Sequence, residues 1–121
     1  MKISILLPYK ENFTKKNAGA VSLFVNDTTR ISTYRKTTRI FGNTTYKNYL
    51  SNNYINLTFD KKFFLSTNKQ YVEKFLQFEK KNNSDLIEVH NRAHYIKIIK
   101  KNYNNKSVSY THLTLPTTPY V

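Results

Sequence analysis

The sequence lacks cysteine altogether, which excludes disulfide bonds and thiolate metal sites in this 121-residue chain. Glycine is scarce as well: Gly19 and Gly42 are the only two, and neither belongs to a G-x-G-x-x-G turn or a Walker loop. Ordinary dinucleotide binding, P-loop phosphoryl transfer and a standalone nucleotide-binding domain are therefore disfavoured. No G-x-S-x-G segment is present either, so covalent acyl chemistry on a serine has no support.

Long hydrophobic runs are also absent. The amino-terminal segment has one apolar run of five residues, Ile3 to Leu7, which includes a serine and stops at Pro8. A spanning helix needs about 20 apolar residues, and a secretory signal needs a core of about 7–15. The sequence therefore predicts a cytoplasmic protein without a membrane-spanning helix or a secretory signal.

Acidic residues are few, since seven Asp and Glu stand against twenty Lys and Arg and leave a net charge of +13. This charge favours partners that carry phosphate, such as nucleic acid, nucleotides or the anionic face of a membrane. A composition rich in Lys and Asn is also typical of proteins encoded by AT-rich DNA, so part of the positive charge can reflect base composition. The charge alone does not choose among these partners. The length suits a single domain with its own core.

Apolar periodicity predicts an alternating α/β domain. The predicted strands cover residues 2–7, 39–41, 54–59 and 86–89. The predicted helices start between residues 17 and 20, at a cap on Thr67, and at His94 before running to Asn102. The order β-α-β-β-α-β-α predicts a right-handed, mostly parallel sheet with flanking helices.

The last fifteen residues, SVSYTHLTLPTTPYV, contain no Lys, Arg, Asp, Glu or Asn, although they follow KKNYNNK directly. Their composition would suit a carboxy-terminal strand, YTHLTL, that ends at Pro116. We instead interpret residues 107–121 as a non-native tail, because the peptide resembles a translated sequencing adapter found at the ends of unrelated predicted proteins. The native domain is then residues 1–106, with no strand after the last helix and one helix face uncovered.

Polar residues gather where the strand at residues 86–89 ends. Strand alternation sends Glu88 and His90 to the same side of the sheet. A carboxylate beside an imidazole can orient it for proton transfer. In the alternative interpretation Glu88 pairs with Arg92, and His90 is a partly exposed loop residue. Asn91 would then cap the next helix, and spacing alone favours this alternative.

The small residues Ala18, Gly19 and Ala20 lie at a predicted strand-to-helix turn. They would let an anionic group approach the N–H groups of a helix N-terminus, where the helix dipole favours negative charge. They would equally permit close packing of the helix on the sheet. His94 lies four residues beyond His90 without a third ligand, so no metal site is predicted.

Basic residues alternate with tyrosine in TYRKTTR and in IKIIKKNYNNK. Such segments can bind nucleic acid through phosphate contacts and base stacking. More often they are solvated faces, and both stretches flank apolar positions that a core would need. We therefore expect no nucleic-acid partner and keep a small basic nucleic-acid-binding module as the alternative function.

Four segments in order, KISILLPYKENF, NAGAVSLFVNDT, IFGN and IEVHNRAHYI, resemble the N-terminal domain of retaining family-four glycosyltransferases with the GT-B fold. The resemblance covers residues 1–106 and implies a Rossmann-like domain that presents the acceptor, beside a second domain that binds a nucleotide sugar. It implies that Ala18, Gly19 and Ala20 line the cleft near the donor phosphate and the acceptor.

The same resemblance implies a catalytic position for His90, close to the transferred sugar. Asn91 and Arg92 would contact the acceptor or close the cleft, and Glu88 would belong to the same cleft. Many relatives read H-N-R-P, whereas this chain has Ala93 at the proline position, which predicts a looser first turn of the helix.

The reaction implied by the resemblance is transfer of a hexose from a nucleotide sugar to a hydroxyl group on a glycan or lipid-linked acceptor. It would proceed with retention and would need no obligatory metal or other cofactor. No paired-glutamate donor motif and no second domain follow Lys106, so the fragment alone is expected to be inactive. A basic acceptor domain would suit an enzyme of cell-envelope polysaccharide synthesis, with peripheral contact at the anionic inner membrane.

Overall fold

The computed structural model describes residues 1–103 and 106–113, which form a five-stranded parallel sheet flanked by three α-helices. The strands are β1 (Ile3–Leu6), β2 (Thr38–Gly42), β3 (Tyr54–Asn56), β4 (Leu86–His90) and β5 (Val108–Thr111). The helices are α1 (Ala20–Arg30), α2 (Thr67–Asn82) and α3 (His94–Asn102), and a short 3-10 helix spans Arg35–Thr37. The predicted Rossmann-like α/β fold is confirmed, with every described strand pair parallel.

The sheet is buried on both faces, which is why β1 reads as a nearly continuous apolar run. On one face α1 packs Val21 and Val25 against alternate strand residues such as Ile5 and Ile40. On the other face α2 and α3 cover the intervening positions. The fully buried strand residues of that second layer are Leu6, Phe41, Ile87 and Val89.

The predicted order of strands and α-helices is confirmed as far as α3, and up to that point the differences lie at the ends of elements. Helix α3 has the predicted bounds, whereas α2 is capped by Ser66 rather than Thr67, because the Ser66 hydroxyl accepts the Lys69 N–H at 3.4 Å. The strand predicted over residues 54–59 ends at Asn56. There the Asn56 amide binds the backbone N–H and C=O of Thr44, at 2.9 and 3.0 Å, and ties two loops together.

Strand β5 corrects the expectation that no strand follows α3. Residues Val108–Thr111 pair in parallel with β4, with Val89 opposite Tyr110. Val108, Tyr110 and Thr111 are good strand formers, and the edge of β4 offers backbone N–H and C=O groups to pair with. The strand begins two residues before the YTHLTL segment, whose boundary at Pro116 lies outside the described residues. Because pairing says nothing about origin, the non-native character of residues 107–121 stays a prediction.

Candidate functional site

The sheet has one topological switch point, between β1 and β4. These strands are parallel neighbours, with Leu6 opposite Val89. The connection that leaves β1 places α1 on one face, whereas the connection that leaves β4 places α3 on the other face. In open parallel sheets the crevice at such a point, outside the carboxyl ends of the strands, is where ligands bind.

His90 ends β4 at this crevice and is only 2% exposed. Its Nε2 lies 3.5 Å from Oε2 of Glu88, so the predicted placement of both side chains on one side is confirmed. Neither ring nitrogen has a hydrogen-bond partner among the described residues. Buried polar atoms are nearly always hydrogen-bonded, so these two nitrogens are the polar atoms of this edge to which a water or a ligand group would bind.

The alternative interpretation of this cluster is wrong in its details. His90 is a buried strand residue rather than a loop residue, and Glu88 faces His90 rather than Arg92. Arg92 is exposed, and its Nη1 donates to the backbone carbonyl of Asn91 at 2.7 Å. Asn91 does not cap α3, because the N-cap is Ala93, which makes no side-chain cap bond.

Asn91 instead holds the chain that follows β5. It has a positive φ of 55°, a conformation that asparagine tolerates better than most residues. Its Nδ2 donates to the backbone carbonyl of Leu113 at 2.9 Å, and its Oδ1 accepts the Leu113 N–H at 2.6 Å. The side chain is therefore engaged at the rim of the crevice, and its predicted contact with an acceptor stays a prediction.

Helix α1 brings the small-residue turn close to His90. The Phe24 ring lies edge-on to the His90 ring, with 6.2 Å between centroids, and is itself 38% exposed. Gly19 caps α1 five residues earlier, which corresponds to about 7 Å along the helix axis. Ala18, Gly19 and Ala20 and the imidazole therefore lie at the same edge and on the same side of the sheet.

A carboxylate of the chain occupies the N-terminus of α1. Oε2 of Glu11 accepts from the backbone N–H of Ser22 at 3.1 Å and from its hydroxyl at 2.8 Å. A Cβ added at Gly19 would overlap this oxygen, so the Glu11 carboxylate would have to shift if residue 19 carried a side chain. Sequence reasoning missed Glu11, and its one signal was a lone acidic residue in the otherwise basic loop after β1. Any phosphate that binds this helix end must displace Glu11 or bind beside it.

We expect Gly19→Ala to lower the free energy of unfolding by about 0.5–1.5 kcal/mol, because the new methyl group forces the Glu11 carboxylate to shift and weakens its hydrogen bonds to Ser22. Urea unfolding followed by circular dichroism measures the change. In a Glu11→Ala background the methyl group has nothing to displace, so Gly19→Ala should cost little there. Equal costs in both backgrounds would contradict the Glu11 contact.

Two buried tyrosines fix the chain that leaves β1. The Tyr71 hydroxyl donates to the carbonyl of Leu7 at 2.6 Å, and the Tyr95 oxygen accepts the N–H of Tyr9 at 3.0 Å. Burial raises the pKa of Tyr71 well above its usual value and also raises the pKa of Tyr95. Both hydroxyls therefore stay protonated at neutral pH, and the start of the β1–α1 loop keeps one position.

The same edge holds a polar recess of about 220 Å³ between the loops that follow β1 and β2. Its lining consists of side chains with hydroxyl, amide or ammonium groups: Lys10, Asn12, Asn43, Thr44, Thr45 and Tyr46. One wall is fixed by a 2.6 Å hydrogen bond from the Thr44 hydroxyl to Oδ1 of Asn12. Such a lining suits a ligand rich in hydroxyl groups.

Within residues 1–103 and 106–113, no three or more His, Asp and Glu side chains are grouped closely enough to hold a metal ion. No helix in the same part of the chain has the length and apolar character needed to cross a bilayer. Comparisons with protein-family models, with curated proteins and with solved structures found no match to this chain.

Proposed function

We propose that this chain is the acceptor-side domain of a retaining hexosyltransferase of the GT-B type. The parent protein would transfer a hexose from a nucleotide sugar to a hydroxyl group of a glycan or a lipid-linked acceptor. The observation that carries the proposal is His90, a buried imidazole that lies beside Glu88 at the switch point of the sheet and makes no hydrogen bond to any residue that the structure describes. The sequence segments that resemble family-four glycosyltransferases supply the reaction class.

The chemistry of acceptor activation fits these side chains. In this proposal the Phe24 ring moves aside to admit a sugar hydroxyl, which donates a hydrogen bond to Nδ1 of His90, while Glu88, 3.5 Å from Nε2, orients the imidazole. The exposed face of Phe24 would border the bound sugar. In this proposal Arg92, whose guanidinium is at the surface, contacts phosphate or hydroxyl groups of the acceptor.

The donor would be held mainly by a second domain. In this proposal Ala18, Gly19 and Ala20 contribute backbone contacts close to the donor phosphate, and Glu11 controls access to the N–H groups of α1. No metal or cofactor is assigned a role. The proposed place of action is the cytoplasmic side of the inner membrane, in synthesis of a cell-envelope polysaccharide.

We further propose that the native domain covers residues 1–106 and that residues 107–121 are a non-native tail in the position of the next native strand. The support is the abrupt loss of Lys, Arg, Asp, Glu and Asn after Lys106. Mass spectrometry of tryptic peptides from the source cells separates the two cases. A different sequence after Lys106 supports the proposal, and the peptide SVSYTHLTLPTTPYV contradicts it.

The direct test is a transfer assay with the protein expressed from its complete reading frame. Radiolabelled UDP-glucose, UDP-galactose and GDP-mannose are each incubated with the protein and a lipid extract of the source cells. We expect label from one donor to enter an acceptor with the anomeric configuration retained. For the 121-residue chain alone, calorimetric titration with UDP-glucose should give no heat. Tight UDP-glucose binding, or a salt-sensitive shift of RNA in a gel, would favour a rival function.

A further inference from the structure

The loop between β3 and α2 exposes three consecutive apolar side chains. Phe63 is 94% exposed, Phe64 is 73% exposed and Leu65 is 43% exposed. The Leu65 N–H donates to the Lys62 carbonyl at 3.1 Å, so the two phenylalanines hold the central positions of a turn. Glycine, proline, asparagine and aspartate are the residues that turns favour. Turn geometry therefore gives no reason for these phenylalanines.

Hydrogen bonds from α2 hold the exposed turn in place. The Gln70 side chain of α2 accepts the N–H of Lys62 at 2.9 Å and donates to the carbonyls of Lys62 and Leu65, at 2.9 and 3.2 Å. The Phe63 and Phe64 rings pack edge-on against each other, with 5.9 Å between centroids. The two rings thus form a small apolar wedge on a fixed base, and little ordering remains for a partner to impose.

Basic side chains surround the wedge. Lys61 and Lys62 precede it, and Lys69 lies in the first turn of α2, all three exposed. Residues 60–69 contain these three cations and one anion, Asp60, so their net charge is 3 − 1 = +2. Aromatic side chains favour the headgroup region of a bilayer, and lysines next to them are attracted to anionic lipids.

We propose that the turn at residues 61–65 inserts into an anionic phospholipid bilayer. The turn follows the carboxyl end of β3, so it lies at the same edge of the parallel sheet as the crevice of His90. Docking through it brings that edge to the membrane surface. If the proposed function holds, docking at the membrane narrows the acceptor class to lipid-linked molecules. Binding to the bilayer itself does not depend on glycosyl transfer.

A protein partner fits this surface less well than a bilayer does. Stable protein interfaces bury about 20–30 residues on each side, and lysine is depleted from them. Here the apolar part is three residues long and the lysines stand directly beside it. In a bilayer a short apolar wedge can enter the acyl-chain region, while the lysine ammonium groups stay among the lipid headgroups.

The test uses the absence of tryptophan from the chain. Phe63→Trp then carries the only indole, and its fluorescence reports on its own surroundings. With vesicles of phosphatidylcholine mixed with phosphatidylglycerol we expect a blue shift and quenching by bromine-labelled lipid. Phosphatidylcholine alone should give a much smaller response. The matched control is Ile31→Trp. Ile31 is 81% exposed and lies beside Arg30, but it follows the C-terminal end of α1, away from the edge of the sheet that holds the wedge. The fluorescence of this variant should not shift when vesicles are added.

Sedimentation with the same vesicles measures the partition coefficient. Phe63→Ser combined with Phe64→Ser should lower it at least about tenfold, which is about 1.4 kcal/mol. Lys61→Gln combined with Lys62→Gln should lower it roughly tenfold for anionic vesicles only. All of these side chains are exposed, so the variants should keep the circular dichroism spectrum of the native chain.

Three results would overturn the proposal: no blue shift for Phe63→Trp, an equal shift for Ile31→Trp, or a dimer in sedimentation velocity that the double serine variant abolishes. The last result would assign the wedge to a second copy of the chain. Failure here is distinguishable from failure of the proposed function. Vesicle binding without hexose transfer would contradict only the proposed function. Hexose transfer without vesicle binding would contradict only the proposed docking surface.

Discussion

Replacement of His90 by alanine is expected to lower the turnover of hexose transfer by roughly 100-fold or more in the proposed parent hexosyltransferase, the size typical of a lost general acid–base group. In the proposed mechanism the imidazole of His90, oriented by Glu88, accepts the proton of the acceptor hydroxyl, so the substitution removes that base. The donor is held mainly elsewhere in this proposal. The dissociation constant of the nucleotide sugar should therefore change less than about threefold.

The chain supplies a matched control. His94 is exposed at the first position of α3, and its ring lies edge-on to the ring of Tyr95, with 4.9 Å between centroids. His94→Ala should leave turnover near the native value. Glu88→Gln should fall between the two, because the imidazole stays but loses its charged neighbour. Unchanged turnover in His90→Ala, or equal losses in both histidine variants, would remove the assignment of His90.

Glu79→Ala is expected to lower the free energy of unfolding by about 3–5 kcal/mol, the range for breaking a buried charged network. Glu79 is fully buried at the end of α2. Its Oε1 accepts from the Ser4 hydroxyl of β1 at 2.7 Å, and its Oε2 accepts the Ser84 N–H at 2.9 Å and lies 3.5 Å from Nζ of Lys106. One carboxylate thus joins β1, the end of α2 and the chain before β5.

Two variants separate this network from the helix itself. Glu73→Ala removes an exposed carboxylate from the same helix and should change stability by no more than about 0.5 kcal/mol. Glu79→Gln keeps the shape but sets an amide N–H₂ against the donors of Ser84, and should be intermediate. Urea unfolding measures all three variants. Similar midpoints for Glu79→Ala and Glu73→Ala would show that the network contributes little.

Local patterns predicted most of the fold because its elements are set by short-range physics. The apolar period of α3 gives its bounds, and the Ile and Leu residues of β1 indicate a strand buried on both faces. Alternation along β4 also predicts that Glu88 and His90 share a side. Burial of His90 needs the position of α1, which no local pattern contains.

Interactions between distant residues account for what the sequence did not predict. Asn91 binds the backbone of Leu113, 22 residues later, and Glu11 reaches Ser22 across a loop. Strand β5 forms because its propensity and the free edge of β4 favour pairing, whatever the origin of the segment. The wedge at Phe63 has no signal in the sequence, because exposure of a phenylalanine is a property of the folded chain.

The central claim is that the imidazole of His90 and the start of α1 lie on one side of the sheet, at its carboxyl edge. Nuclear Overhauser spectroscopy on the isotope-labelled chain tests it most directly. The structure predicts cross-peaks between the ring protons of His90 and Phe24. It predicts none between His90 and Phe75, which packs on the opposite face. Cross-peaks from His90 to Phe75, with none to Phe24, would contradict the claim.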